Sequence, residues 1–296
     1  MVRATNYTVR VGGCLSQCSR TVAKSGPIGT VLGMPELVEV DIVARGLDKT
    51  IKGKRIEKVR CGTNPRFKDA KLAKNYDILK VTRRGKYIML ELTGDKTMIV
   101  HLGMTGQLLL NSPVDSHIRA TFRMGADILK LRDPRGFGLV KVVGNDQDHG
   151  LKTLNSLGPE YCDKNFTQEH TQSVVGASTC GIKTLLLKQT ILAGVGNYIC
   201  DEALHRALVH PLKRKLTTAE CGKLHKSLLD IVAESMALGG VSMRDYVHVD
   251  GTKGTYQNFL KVYGRGGLLC LACATRLTKA IVSGRGTVYC ETCQKI

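Results

Sequence analysis

Two stretches of this chain hold residue types that could do chemistry on another molecule. The first is Met34-Pro35-Glu36-Leu37. A proline at a free chain end is a secondary amine with a pKa of about 8, against about 10.4 for a lysine side chain. Much of it is unprotonated at neutral pH and can attack an electrophilic carbon. The iminium that results has no N–H to lose, so it stays cationic and draws electrons from neighbouring bonds. Glu36 stands beside it as an acid or base. The chemistry requires release of Met34, because inside a longer chain the Pro35 nitrogen is an amide with a delocalised lone pair. Without that release the stretch reads as an ordinary helix start behind a leader.

The second stretch is Cys270-x2-Cys273, sixteen residues, then Cys290-x2-Cys293. Each pair can place two thiolates on one tight turn, and two turns complete a tetrahedron. Four sulfurs with no open position point to one structural zinc rather than a catalytic one. Iron in a rubredoxin-like site is the weaker alternative. Between the pairs lie Thr278, Lys279, Ser283, Gly284, Arg285, Gly286 and Thr287, a small basic hairpin suited to a groove of DNA. The other seven cysteines are scattered, which fits a reducing compartment better than a disulfide framework.

Other candidates are weaker singly. Gly194-Val195-Gly196-Asn197 permits a tight turn, with Asn197 able to cap the helix that follows and exposed N–H groups able to hold a phosphate. Arg83-Arg84-Gly85-Lys86 and Arg132-Asp133-Pro134-Arg135-Gly136-Phe137-Gly138 place cations on turns. Alone these are solvated loops, but Phe137 beside arginines could wedge into a base stack. His101 reads as a packed strand histidine rather than a base, and Met104 is ambiguous.

These residues need elements to position them. Pro35 suits a first helical turn, Glu36 and Glu39 suit the positive end of the dipole, and Leu37, Val40, Ala44 and Leu47 keep helical spacing over 34–50. From 55 to 143 the pattern is mostly β: apolar runs in 78–92 broken at 83–86, then 97–101, 107–110, 118–124, 128–131 and 139–143. Leu157-Gly158-Pro159-Glu160 marks a boundary. Helices follow at 167–175, 181–188, 196–207 and 217–238, the last opening on a Thr217/Glu220 cap. Residues 241–266 read as a flexible, glycine-rich loop.

Whole-chain properties narrow the partner. The 296 residues suffice for about two domains with real cores. Net charge is +19, and +15 without the four cations of residues 1–33, so the basicity belongs to the body of the chain. That fits a polyanion, nucleic acid before membrane. No apolar run approaches the length of a membrane span. Residues 1–33 hold no carboxylate and no sustained period. Two readings stay open for this disordered leader: a targeting segment for an organelle, or residues upstream of a true start at Met34.

From Met34 to the C-terminus the order of motifs resembles the bacterial formamidopyrimidine-DNA glycosylases, which remove oxidised purines such as 8-oxoguanine. The resemblance is carried by Met34-Pro35-Glu36-Leu37, Arg84-Gly85-Lys86-Tyr87, His101-Leu102-Gly103-Met104-Thr105-Gly106, Asp133-Pro134-Arg135 with Phe137-Gly138, and Ala193-Gly194-Val195-Gly196-Asn197. It continues through Gly239-Gly240, Arg244-Asp245-Tyr246 and Val262-Tyr263-Gly264-Arg265 to the cysteine finger with Gly284-Arg285-Gly286-Thr287.

The resemblance implies an α+β fold. A leader (1–33) is followed by a catalytic β-sandwich with flanking helices (34–160), a helix–two-turns–helix DNA-binding domain (161–262) and a zinc-finger β-hairpin (263–296). It implies a bifunctional glycosylase and abasic-site lyase of base excision repair. Pro35 would attack C1′ of the damaged nucleotide, Glu36 would supply the proton, and Lys86 would contact the adjacent phosphate. Met104, Arg135 and Phe137 would fill the gap left by the flipped nucleotide. Asn197 and Arg285 would grip the surrounding phosphates, Lys183 matches a DNA-facing position, and 241–256 would close over the extruded base. The Pro35 iminium would then drive β- and δ-elimination, with formamidopyrimidines among the substrates. The expected partner is double-stranded DNA containing damaged bases, the expected cofactor one Zn2+ on Cys270, Cys273, Cys290 and Cys293, and the expected state a cytoplasmic monomer.

The sequence departs from the family at Val38, Gly136, Lys188, Tyr198-Ile199 and Leu268-Leu269, none of them a catalytic group. Two alternatives remain: an endonuclease VIII-type glycosylase for oxidised pyrimidines, and a damaged-DNA-binding protein without catalysis if the leader is retained.

Overall fold

The computed structural model describes residues 7–11, 14–18, 34–145, 150–243 and 245–296. The expectation of a disordered leader falls mostly outside them; within it, Tyr7–Val11 (β1) and Cys14–Cys18 (β2) pair as an antiparallel hairpin. Arg244 also lies outside the described residues.

The described chain divides into two compact units, the first comprising Leu32–Leu157 and Gly239–Gly254. Its helix α1 (Leu37–Ile51) starts later than the proline suggested. Glu36 is the N-cap and Pro35 precedes it, because Glu36 and Glu39 form a reciprocal capping box in which the Glu39 carboxylate accepts the Glu36 N–H at 2.9 Å. Val40, Val43, Ala44, Leu47 and Ile51 form its buried stripe, the Val, Leu and Ile side chains each contributing on the order of 1.5–3 kcal/mol.

Eight strands follow: β3 (Lys58–Cys61), β4 (Ile78–Arg84), β5 (Tyr87–Leu92), β6 (Lys96–His101), β7 (Gln107–Leu110), β8 (Ile118–Met124), β9 (Asp127–Arg132) and β10 (Leu139–Gly144). They form two antiparallel four-stranded sheets, ordered β10-β6-β5-β4 and β3-β8-β9-β7. Alternate residues of each sheet, such as Ile88 and Leu90 of β5 and Phe122 of β8, share one core with α1. A 3-10 turn (Lys68–Ala73) and a short helix α2 (Lys152–Asn155) complete the unit; neither had a period long enough to read.

The segment 239–254 belongs here rather than with the helices. Tyr246 and Val249 enter the sandwich core, Leu110 N–H donates to Val249 O at 2.9 Å, and the Gln107 amide donates to Asp245 O. The wider expectation of a flexible glycine-rich loop therefore needs correction. Residues 241–266 hold four glycines and bury Tyr246, Val249, Tyr256, Val262 and Tyr263.

The second unit contains Gly158–Leu238 and Thr255–Ile296. Its helices are α3 (Gln168–Gly176), α4 (Ile182–Leu186), α5 (Asn197–Arg206) and α6 (Thr218–Ala237), the last opened by the expected Thr217/Glu220 capping box. A 3-10 turn (Tyr256–Phe259) leads to the hairpin β11 (Thr278–Val282) and β12 (Arg285–Tyr289). Ser283 and Gly284 both have positive φ, as a two-residue hairpin turn requires. No helix among the described residues is long and apolar enough to cross a membrane.

Candidate active site and zinc centre

In the first unit, Pro35 and Glu36 sit buried at the mouth of α1. Glu39 fixes that mouth. Its Oε2 accepts the Glu36 N–H, and its Oε1 accepts the Val241 N–H at 2.9 Å. Gly240 has φ +80°, and a Cβ there would lie 2.9 Å from Glu39 Oε1. The motif Gly239-Gly240 thus lets backbone close on a buried carboxylate.

Lys86 lies on the β4–β5 turn and is mostly buried. Its partner in the turn, Gly85, has φ +57° and packs so closely on Leu157 that a Cβ would sit 2.8 Å from Leu157 Cδ1. Burial, with the charges of Lys86 and Arg66 nearby, lowers the His101 pKa to about 4. His101 is a packed histidine: its ring lies 4.8 Å from Tyr87, and Nδ1 accepts the Gly103 N–H at 3.1 Å. It is a neutral acceptor in this setting.

Met104, Arg135 and Phe137 come from two loops locked together. Phe137 is exposed, with the Arg135 guanidinium 4.7 Å from its ring centroid. The wholly buried Asp133 carboxylate accepts from Thr105 Oγ1 at 2.6 Å and from Gly138 N–H at 2.7 Å. Gly103 approaches the second loop so tightly that a Cβ would be 2.7 Å from the Phe137 carbonyl carbon. Arg66 donates to Gly138 O and Phe137 O, each at 2.8 Å, and Arg119 donates to Asp133 O and Pro134 O at 2.7 and 3.0 Å. Sequence reasoning gave Arg66 and Arg119 no role. Their partners are carbonyls in a distant loop, which leave no local pattern.

In the second unit the turn before α5 is stapled by Gln189, which accepts Gly194 N–H and donates to Val195 O. Asn197 does not cap α5; Gly196 does, and Asn197 Nδ2 donates to Gly286 O at 2.8 Å. That bond places Asn197 next to the exposed Arg285 at the start of β12. Lys183 is different from its expected DNA-facing placement. It is fully buried, with Nζ 2.5 Å from Asp201 Oδ1 and 2.7 Å from Thr287 Oγ1. Burial pushes the Asp201 carboxyl up, against the pull of the Lys183 ammonium. Asp201 Oδ2 also accepts the Val288 N–H at 3.1 Å, so the pair ties α4 and α5 to the hairpin. Glu202, equally buried, accepts the N–H groups of Lys261, Val262 and Tyr263. Two adjacent acids amid Ile199, Cys200, Ala203 and Leu204 were the available signal for both anchors.

The Sγ atoms of Cys270, Cys273, Cys290 and Cys293 lie within 4.8 Å of one another. Tetrahedral zinc with bonds of about 2.3 Å separates its sulfurs by about 3.8 Å. The Cys270–Cys293 and Cys273–Cys290 separations are 4.0 and 3.4 Å, so the four sulfurs fit one such ion. Thiolates of these four cysteines would fill all four positions of such an ion, which would make its role structural.

Three family models match the chain in consecutive stretches. Residues 34–140 match the Formamidopyrimidine-DNA glycosylase N-terminal domain, residues 157–247 its H2TH domain, and residues 267–296 the zinc finger found in FPG and IleRS. The Formamidopyrimidine-DNA glycosylase of Pelotomaculum thermopropionicum is 37% identical over 277 residues, covering 89% of this chain and 100% of its own. That of Deinococcus radiodurans is 35% identical over 278 residues, covering 89% and 98%. The crystal structure of the MutM (Fpg) protein from Thermus thermophilus superposes with a TM-score of 0.83 at 37% identity, covering 88% of this chain and 98% of that one. The Lactococcus lactis Fpg in complex with DNA containing an abasic site gives 0.81 at 34%, covering 88% and 100%.

Proposed function

The chain belongs to the formamidopyrimidine-DNA glycosylase family of base-excision-repair enzymes, and from that premise we propose that it excises oxidised purines through Pro35 once Met34 is released. The observation that carries this reading is the mouth of α1. Pro35 is placed beside Glu36, Glu39 holds the turn from both sides, and the family match begins on Met34. The Lactococcus lactis relative has been crystallised with DNA containing Fapy-dG, which supports a ring-opened purine as substrate.

The Pro35 amine attacks C1′ of the damaged nucleotide, the bond from C1′ to the base breaks with its electron pair going to the base, and the proton lost by the amine balances the departing base. Glu36 protonates O4′ as the C1′–O4′ bond breaks, which opens the sugar and leaves the Pro35–C1′ iminium. The iminium acidifies C2′, and loss of that proton expels the 3′ phosphate; a second elimination expels the 5′ phosphate. Water then frees Pro35. Lys86 holds the phosphate beside the lesion, Met104, Arg135 and Phe137 occupy the vacated stack, and Asn197 and Arg285 grip the flanking backbone. Cys270, Cys273, Cys290 and Cys293 would hold one zinc ion, which would pin the hairpin that carries Arg285. Lys183 acts behind this surface, through Asp201 and Thr287.

The test uses protein beginning at Pro35 and duplexes containing either 8-oxoguanine or thymine glycol. Borohydride should trap a covalent adduct at Pro35, with 8-oxoguanine cut faster. Pro35→Gly should keep partial lyase activity through its primary amine, whereas Glu36→Gln should lose base excision. Excision at the wild-type rate by the glutamine variant would remove Glu36 from the mechanism. Preference for thymine glycol would move the protein to the pyrimidine-specific reading.

A further inference from the structure

Three side chains of α5 stand four residues apart, at Asn197, Asp201 and His205, and so share one helix face. All three end on the zinc-finger segment. Asn197 Nδ2 donates to Gly286 O, Asp201 Oδ2 accepts the Val288 N–H, and His205 Nε2 lies 3.5 Å from Cys270 Sγ. The first contact is made by Asn197, one of the two residues proposed to grip phosphate, and the second belongs to the buried Lys183 pair. Nothing in the reaction uses the third.

His205 and Cys270 are both buried, 8% and 3% exposed, so water does not compete for this contact. His205 does not belong to the ligand set, because the mutually close donor atoms are the four sulfurs. In the metal-free protein either partner could supply the proton, since a thiol can donate to a ring nitrogen. Zinc decides the direction. A coordinated cysteine is a thiolate with no proton, so the hydrogen must come from Nε2.

A second observation points the same way. Arg265 is 3% exposed and donates through Nη2 to Leu269 O at 3.0 Å, one residue from Cys270. Its Nε and Nη1 have no hydrogen-bond partner among the described residues. A buried guanidinium calls for nearby negative charge. Four thiolates around one divalent ion supply a net charge of two negatives.

We propose that His205 is a positioning residue of the zinc centre. Its Nε2–H donates to the Cys270 thiolate in the loaded protein, and the bond completes a seam along α5 that couples zinc loading to the helix beginning at Asn197. An N–H donor withdraws electron density from the sulfur, making it less basic and less easily alkylated. Loss of such outer-shell partners typically weakens metal binding by roughly 10- to 100-fold. The proposal concerns the metal centre and stands whether or not Pro35 is the nucleophile.

The experiment compares full-length wild type, His205→Phe and His205→Gln, loaded with cobalt for spectroscopy and with zinc for release to a chelator. The phenylalanine variant should shift the thiolate-to-cobalt charge-transfer band to longer wavelength and release zinc roughly tenfold faster or more. The glutamine variant, which keeps an N–H donor, should restore both. Faster release with an unmoved band would assign His205 a packing role only and overturn the proposal, as would wild-type behaviour in both readouts. If His205→Phe does not fold, the tautomer of His205 in zinc-loaded wild type, read by nitrogen NMR, decides. Hydrogen on Nε2 supports the proposal, and hydrogen on Nδ1 alone overturns it.

Discussion

His101 shows how a residue can sit in a family motif and act through its protonation state on stability. Its pKa falls from 6.5 to about 4 because burial and the neighbouring Lys86 and Arg66 charges oppose the imidazolium. Between those two values the unfolded chain binds a proton that the folded protein does not, so stability rises with pH. The contribution is full above the unfolded pKa and is lost as pH falls toward 4, up to about 3 kcal/mol at the acid end. His101→Phe keeps a ring against Tyr87 and removes the titration. Denaturant midpoints near pH 5 and pH 7 should therefore differ less in the variant than in wild type. Equal differences would mean that His101 accepts a proton in the folded state. Glu39 belongs beside it. A dipole argument read its presence in the first turn, but its bond to Val241 N–H spans 202 residues and leaves no trace in local sequence. Glu39→Ala should destabilise by roughly 1–3 kcal/mol, since it strands two buried N–H donors, and a urea titration measures that loss.

The loop carrying Arg135 and Phe137 makes the same point for an element. Its cations and aromatic were legible as a turn, and strands β7 and β8 were read with their observed bounds because alternation and punctuation are local. The clamp that holds the loop was not legible, because Arg66 and Arg119 act on carbonyl oxygens contributed by another part of the chain. Gly136 belongs to the same loop and has φ +68°, a conformation glycine adopts without strain. Arg66→Ala would free the Phe137 and Gly138 carbonyls while Asp133 still bridges Thr105 and Gly138. The expected result is a loop that remains attached but presents Phe137 less often, with damaged-duplex affinity reduced about threefold to tenfold, or about 0.7–1.4 kcal/mol. A fluorescent purine placed opposite the lesion reports unstacking directly. Wild-type fluorescence gain in Arg66→Ala would show that Asp133 alone suffices. Partial recovery in Arg66→Lys, which cannot donate to two carbonyls in the same fork, would separate geometry from charge.

At the scale of the whole molecule, charge and chain start act on different steps. The body without residues 1–33 carries +15, and those residues add four cations and no carboxylate. Non-specific affinity for duplex DNA falls with salt according to the phosphates neutralised, with a slope of about −0.9 per contact. A chain beginning at Met1 should therefore bind undamaged duplex at least as tightly as one beginning at Pro35, with a log–log salt slope steeper by at most about 3.6. The same longer chain should yield no borohydride adduct on abasic DNA, because its Pro35 nitrogen is an amide. Binding and catalysis should thus move in opposite directions when the leader is removed, a pattern that neither misfolding nor simple charge loss produces. Intact mass identifies the species in each assay. A trapped adduct on protein that still carries Met1 would locate the nucleophile on another amine and take Pro35 out of the mechanism, while leaving the zinc centre and the His205 contact untouched.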